Sequence, residues 1–184
     1  MLFAPDVAEA LQAATELVNA VEPPVTLTTV ADLDGFLRRH RYTGRHDGTR
    51  DELDDVLGLA PRLRELLLAG RDDVAPLVND MLAEVGAVPR LVRHEHEDWH
   101  LHAVQDDAPL ADRILAETAM AMVDVVRADE HSRLDICADA DCSGVVLDLS
   151  RNRSRRYCSA TCTNRNAQAA HRARRARGKE HTGR

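Results

Sequence analysis

The chain has 184 residues with a formal net charge of −7, 44% hydrophobic residues and only 3% aromatics. That length can bury a real core and allows one or two domains, and the aliphatic bias leans towards helices packed on Ala, Leu and Val. There is no run of about 18 apolar residues, so no membrane span is expected; the opening MLFAPDVAEALQAATEL lacks a basic n-region and a clean apolar h-region, so no secretion signal is expected either.

In chain order, residues 6–21 place Val7, Ala10, Leu11, Ala14, Leu17, Val18 and Val21 at helical spacing, with Pro5 at the entrance and Pro23-Pro24 beyond the end. A second helix is predicted over about 28–40, capped by Thr29 with Asp32 three residues on and Leu33, Phe36 and Leu37 inward. RYTGRHDGT reads as a polar loop. Residues 49–69 are helical, with Pro61 starting a new helix or kinking this one, and 71–86 form another helix ending near Gly86. The acidic residues Asp51, Glu52, Asp54, Asp55, Asp72 and Asp73 fall near helix starts, where they favour the dipole.

The pattern then changes. PRLVRHEHEDWHLHAV, residues 89–104, alternates and reads as a β-hairpin, about 90–96 and 99–104, turning at Glu97-Asp98. A long helix follows over about 109–129, with Ile114, Leu115, Ala119, Met122, Val123 and Val126 on its inner side. EHSRLDI leads into the cysteine region.

All four cysteines stand in the pattern Cys137-x4-Cys142-x15-Cys158-x3-Cys162. In the cytosol, the default address of this chain, thiols stay reduced and such clusters are metal ligands before they are disulfides. Two close pairs separated by enough chain for a hairpin suit tetrahedral zinc, and four thiolates leave no open position for catalysis, so one structural Zn2+ is expected. The spacing does not match common ferredoxin patterns. Between the pairs we expect a strand from Val145 to Leu149, a polar turn over 150–154 and a second short strand into Tyr157, then a helix capped by Ser159: a treble-clef-like finger of knuckle, hairpin and helix. With so little apolar surface in residues 137–162, the metal is expected to supply most of this module's folding energy.

Charge divides at the same place. Residues 1–136 carry 13 basic and 27 acidic side chains, and residues 137–184 carry 11 and 4. The basic module faces a polyanion. On its helix, Arg165, Gln168, Arg172 and Arg175 share one face, with Asn164 beside them, while Asn166, Ala169, Ala173 and Ala176 form a small face able to lie against the zinc core. Arginine bonds phosphate or guanine edges and glutamine suits adenine; Arg151 and Arg153 in the turn add phosphate contacts. DNA is the expected partner, with strong salt dependence. RNA and an acidic protein are the alternatives; the scarcity of exposed aromatics argues against single-stranded RNA.

The cysteine module resembles the CGNR zinc finger of bacterial proteins. The resemblance rests on Cys137/Cys142 and on YCSATCTNRNAQAAHRARR, residues 157–175, where Cys162, Asn164 and Arg165 match the family's Cys-Gly-Asn-Arg. Thr163 stands where the family has glycine, and Tyr157 where it often has tryptophan. The front part is similar to the ABATE domain that usually precedes this finger, through LVNAV, ADLDGFL, PRLRELLL and Trp99-His100-Leu101. The resemblance implies a stress-induced transcriptional regulator that binds DNA.

The histidine hairpin raises a rival reading. Alternation puts His94, His96, His100 and His102 on adjacent strands, where they could converge on a second metal and make the front domain a sensor or a metal-dependent enzyme. Against it stands a solvent-facing polar strand with Leu91, Trp99, Leu101 and Val92 packed; one slip of register exchanges the two. No HExxH, phosphate loop or nucleophile elbow occurs.

The expectation is therefore an α+β, mostly helical protein that is cytoplasmic and not an enzyme. A helical domain with one hairpin (1–130) senses a ligand or pairs subunits as a homodimer. A zinc finger with a basic helix (131–178) and a short tail (179–184) follow. The charge split also suggests that the acidic front masks the finger, in which case deleting residues 1–130 tightens DNA binding.

Overall fold

The structure, a computed structural model, describes residues 3–93 and 99–182. Five helices come first: α1 (Pro5–Ala20), α2 (Val30–Arg39), α3 (Arg50–Gly58), α4 (Ala60–Leu68) and α5 (Arg71–Glu84). An antiparallel pair, β1 (Arg90–Val92) and β2 (His100–His102), leads to α6 (Leu110–Arg127). After a 3-10 turn at His131–Arg133 come β3 (Leu134–Ile136), β4 (Val145–Leu147) and the long α7 (Ala160–Thr182). The fold is α+β and mostly helical, with two small antiparallel hairpins.

The helices form where the apolar spacing places them. α1 buries Val7, Leu11, Ala14, Leu17 and Val18 along one stripe and begins at Pro5, whose missing N–H costs nothing in a first turn. Thr29 caps α2 through a reciprocal box: its hydroxyl accepts from the Asp32 amide, and the Asp32 carboxylate accepts from the Thr29 amide at 2.9 Å. Pro61 starts a new helix, α4, instead of kinking one. α6 is the central element. It packs on α1 and α5, with α3 and α4 also against it, and it buries Ile114, Leu115, Ala119 and Met122.

Glu52 does more than face a helix dipole. Its carboxylate accepts from the amides of Asp47 and Gly48 and meets His46 Nδ1 at 2.8 Å, which folds the 43–48 loop back onto α3. Buried Arg113 of α6 fixes the same loop by donating to the carbonyls of Thr43, Arg45 and Ala108.

Two expectations about strands are corrected. In the first hairpin, Leu91 pairs with Leu101 and Val92 with His100. Leu91, Trp99 and Leu101 are not its packed side: they are 63%, 60% and 46% exposed, while His100 and His102 are half-buried. The inward face is taken by the histidines, and His102 finds a carboxylate there in Asp106, 2.8 Å from its Nδ1. In the finger, β4 pairs with β3, ahead of the first cysteine, and not with a strand leading into Tyr157. Residues 151–157 are irregular, joined to the knuckle by the Ala138 amide donating to the Arg156 carbonyl at 2.9 Å.

The finger shares the main core. Val145 and Leu147 of β4 are buried in the same apolar cluster as α1 and α4, and Leu134 packs against it. The helical domain thus supplies apolar cover that residues 137–162 lack by themselves, in addition to whatever a metal contributes.

Candidate metal centre and nucleic-acid face

β3 and β4 form a hairpin whose ends carry the first cysteine pair. Cys137 follows β3, its amide donating to the Gly144 carbonyl at 2.8 Å, and the Cys142 amide donates to the Asp139 carbonyl at 3.0 Å. These bonds make the knuckle that turns both thiols to one point. The second pair lies at the start of α7, where Ser159 caps the helix by accepting from the Cys162 amide at 3.2 Å.

The four sulfurs converge. All lie within 4.8 Å of one another, no disulfide joins them, and the Cys142–Cys158 and Cys158–Cys162 separations are 3.5 and 3.9 Å. A tetrahedron of about 2.3 Å zinc–sulfur bonds has edges of about 3.8 Å. Burial pushes the Cys158 thiol well up, and the neighbouring sulfurs add to it, whereas hydrogen bonding to Ser159 holds Cys162 down. Crowded thiols of this kind cannot all ionise without a cation among them. The donor set therefore fits a structural zinc, held by Cys137, Cys142, Cys158 and Cys162.

Around them sits a shell of N–H donors. The Cys158 amide points at Cys137 Sγ and the Gly144 amide at Cys142 Sγ, both at 3.4 Å, and an Arg165 guanidinium nitrogen lies 3.6 Å from Cys162 Sγ. Such donors spread thiolate charge and orient the ligands. Arg165 Nε also donates to Asp139 at 2.6 Å, tying α7 to the knuckle. Burial opposes ionisation of Asp139, yet the Asp141 amide and Arg165 hold its carboxyl below the usual range. A Cβ at Gly144 would lie 2.9 Å from Cys158 Sγ and 3.1 Å from Asn19 Oδ1, so only glycine fits where α1, knuckle and second cysteine pair meet.

The basic residues divide into two groups. Arg165 serves the metal shell, and Arg153 donates to Glu130 and to Ser132, both at 2.7 Å. Arg151, Asn164, Gln168, Arg172 and Arg175 are exposed, and among the described residues none of the arginine side chains of this second group has a hydrogen-bond or ion-pair partner. Of the small face of α7, Asn166 is half-buried and bonds the Cys162 carbonyl, while Ala169 and the other described side chains past Asn166 are exposed. At 23 residues the helix reaches about 34 Å, far beyond a core this small. Thr163 is helical and bonds back to the Ser159 carbonyl, so α7 starts without a glycine there.

Sequence reasoning missed Asn19, Asp139 and Gly144. Asn19 of α1 donates to the Val145 carbonyl at 2.9 Å and accepts its amide at 2.7 Å, pairing with β4 as a strand would. No spacing rule marks such residues, because their partners lie far away in the chain. Of the histidines, His94 and His96 lie outside the described residues. His100 and His102 bring their Nε2 atoms to 3.1 Å, but among the described residues the cysteines are the one group of three or more metal-capable side chains that converge.

Comparison with known proteins agrees with this division. Residues 133–175 match the family model of the CGNR zinc finger. Residues 11–129 match the ABATE model, described as "Putative stress-induced transcription regulator". No curated protein matches the chain. With most of its length under one family model and its cysteine tetrad under the other, the chain belongs to the ABATE family and carries a CGNR zinc finger.

Proposed function

We propose that the protein is a cytoplasmic transcriptional regulator that binds duplex DNA through α7 of its zinc finger, with one structural zinc per chain and no catalytic role. The observation that carries this reading is the state of α7. It stands clear of the body, anchored at one end by the cysteines and the Arg165–Asp139 pair, and presents Gln168, Arg172 and Arg175 to solvent. Unpaired arginines on a held helix suit phosphate and guanine edges, and Gln168 suits adenine. Arg151 extends the surface, and Arg153 and Arg165 add charge at its edge while engaged elsewhere. A single finger reads few base pairs, so a site-specific regulator binds as a homodimer, a role that falls to the helical domain.

The test is duplex-DNA binding across a salt series, with zinc measured on the same sample. The expected result is one zinc per chain and affinity that falls steeply with salt. Cys158→Ser loses both zinc and binding. The double substitution Arg172→Ala/Arg175→Ala keeps zinc, weakens binding to all sequences, and lowers the salt slope by about 2. Zinc-loaded protein that ignores duplex DNA would make the arginine face a docking surface for an acidic protein or RNA.

A further inference from the structure

A cavity of about 340 Å³ lies between the first half of α1, α6 and the β1–β2 hairpin. Its size falls in the range of small-molecule sites. One wall is apolar and built from small or flexible side chains: Val7, Ala10 and Ala13 of α1, and Met120 and Ala121 of α6. Leu91 and Trp99 stand at its rim, which accounts for apolar side chains left exposed on the hairpin.

The lining also holds two polar groups without a side-chain or backbone partner among the described residues. The Tyr42 hydroxyl is enclosed and has no hydrogen-bond partner among the described residues. Glu117, on α6, is half-buried, and among the described residues no hydrogen bond or ion pair reaches its carboxylate. The nearby permanent cation, Arg113, cannot serve it, because its guanidinium is spent on the carbonyls of Thr43, Arg45 and Ala108. Buried polar groups are almost always paired, and an exception needs a reason. The charge around the cavity is lopsided as well. Among the described lining residues, Asp6, Glu9, Glu117 and Asp124 stand with three histidines, His40, His100 and His102, and one arginine, Arg41, which lies 3.9 Å from Glu9.

We propose that this cavity binds a small organic cation with an apolar body, its ammonium or amidinium group against Glu117 and its body against the alanine-rich wall. A cation there restores the missing partner of Glu117, and an ionised Glu117 gives the Tyr42 hydroxyl an acceptor nearby. An anion of the same shape meets four carboxylates, and a neutral molecule leaves the carboxyl unpaired. The site does not depend on what the finger binds, so the two readings fail separately.

Trp99 is the sole tryptophan of the chain, so its emission reports on the rim. The full-length zinc-loaded protein is titrated with 2-phenylethylamine, then with 2-phenylethanol and 3-phenylpropionate, which keep the shape and change the charge. The expected result is a saturable response to the amine and at least about tenfold weaker responses to the alcohol and the acid, the scale of a lost charged hydrogen bond. Glu117→Gln, checked for an unchanged circular dichroism spectrum, loses the preference for the amine, and Tyr42→Phe weakens amine binding while keeping that preference. Equal responses to all three probes, no saturable response to the amine, or an unaltered preference in Glu117→Gln would each overturn the proposal. The comparison of probes on the unaltered protein needs no variant to fold.

Discussion

Glu117 shows how one side chain sets a property of the whole protein. Burial pushes its carboxyl up from 4.5 to about 7, an effect that Arg113 and His100 reduce and that Glu9 and Asp106 reinforce. The folded state therefore holds this proton where the unfolded chain has released it. Stability from this group is fully present below about 4.5, declines as pH rises towards 7, and is flat beyond. A rise of that size corresponds to about 3 kcal/mol, as an order of magnitude. Glu117→Gln removes the titration, so its unfolding free energy should gain on that of the unaltered protein between about pH 5 and pH 8. A constant difference across that range, measured by urea unfolding, would show that Glu117 is not held protonated. Residues of this kind are invisible beforehand: Glu117 looks like any acidic residue on a helix until α1 and the hairpin close over it. Asp139 and Gly144 are the same case at the metal centre, where their partners are a guanidinium 26 residues on and a sulfur 14 residues on.

Among elements, what is local was legible and what is paired across the chain was not. The cap of α2 needs Thr29 and Asp32 alone, three residues apart, and it formed as the spacing predicts. Thr29→Ala should cost about 1 kcal/mol, measured as a shift in the denaturant midpoint without a change in slope; no shift would mean that packing of Leu33 and Phe36 alone holds the helix start. The hairpins went the other way. Each strand is three residues long, too short for alternation to choose a face. In β2 the inward face went to the histidines, with His102 meeting the exposed carboxylate of Asp106, against the ordinary rule that leucine goes in. In the finger, β4 took β3 as its partner because the knuckle between them closes the turn through the Cys137–Gly144 and Cys142–Asp139 bonds. α7 formed with its cap as expected, but Ala169 of its small face is exposed.

At the scale of the molecule, the charge split is real and the separation into free modules is not. Val145 and Leu147 lie in the helical core, Asn19 bonds both polar groups of Val145, and Arg64 donates to the Ser143 carbonyl at 2.6 Å. The zinc module and the helical domain should therefore unfold together. Heating with Trp99 emission and zinc release followed in one sample should give coincident transitions; a separate early loss of zinc would mean that the shared core is too weak to couple them. Deleting residues 1–130 would expose Val145 and Leu147, so masking of the finger by the acidic domain is better tested by neutralising carboxylates in the full chain. Asn19 also lies on the helix whose first half lines the cavity, which places a ligand site and the finger at two ends of one rigid element.

The sequence by itself determined the helices, the cysteine tetrad, the basic helix and the family, because each is written in residues close together: apolar spacing, capping pairs, the Cys-x4-Cys and Cys-x3-Cys intervals and a run of arginines. The tertiary structure alone decided which face of the hairpin turns inward, that β3 partners β4, that Arg153 and Arg165 are engaged by acidic neighbours, and that a cavity with an unpaired carboxyl lies between α1 and α6. Those outcomes depend on groups far apart in the chain competing for the same space and the same hydrogen bonds, and no local pattern records who wins.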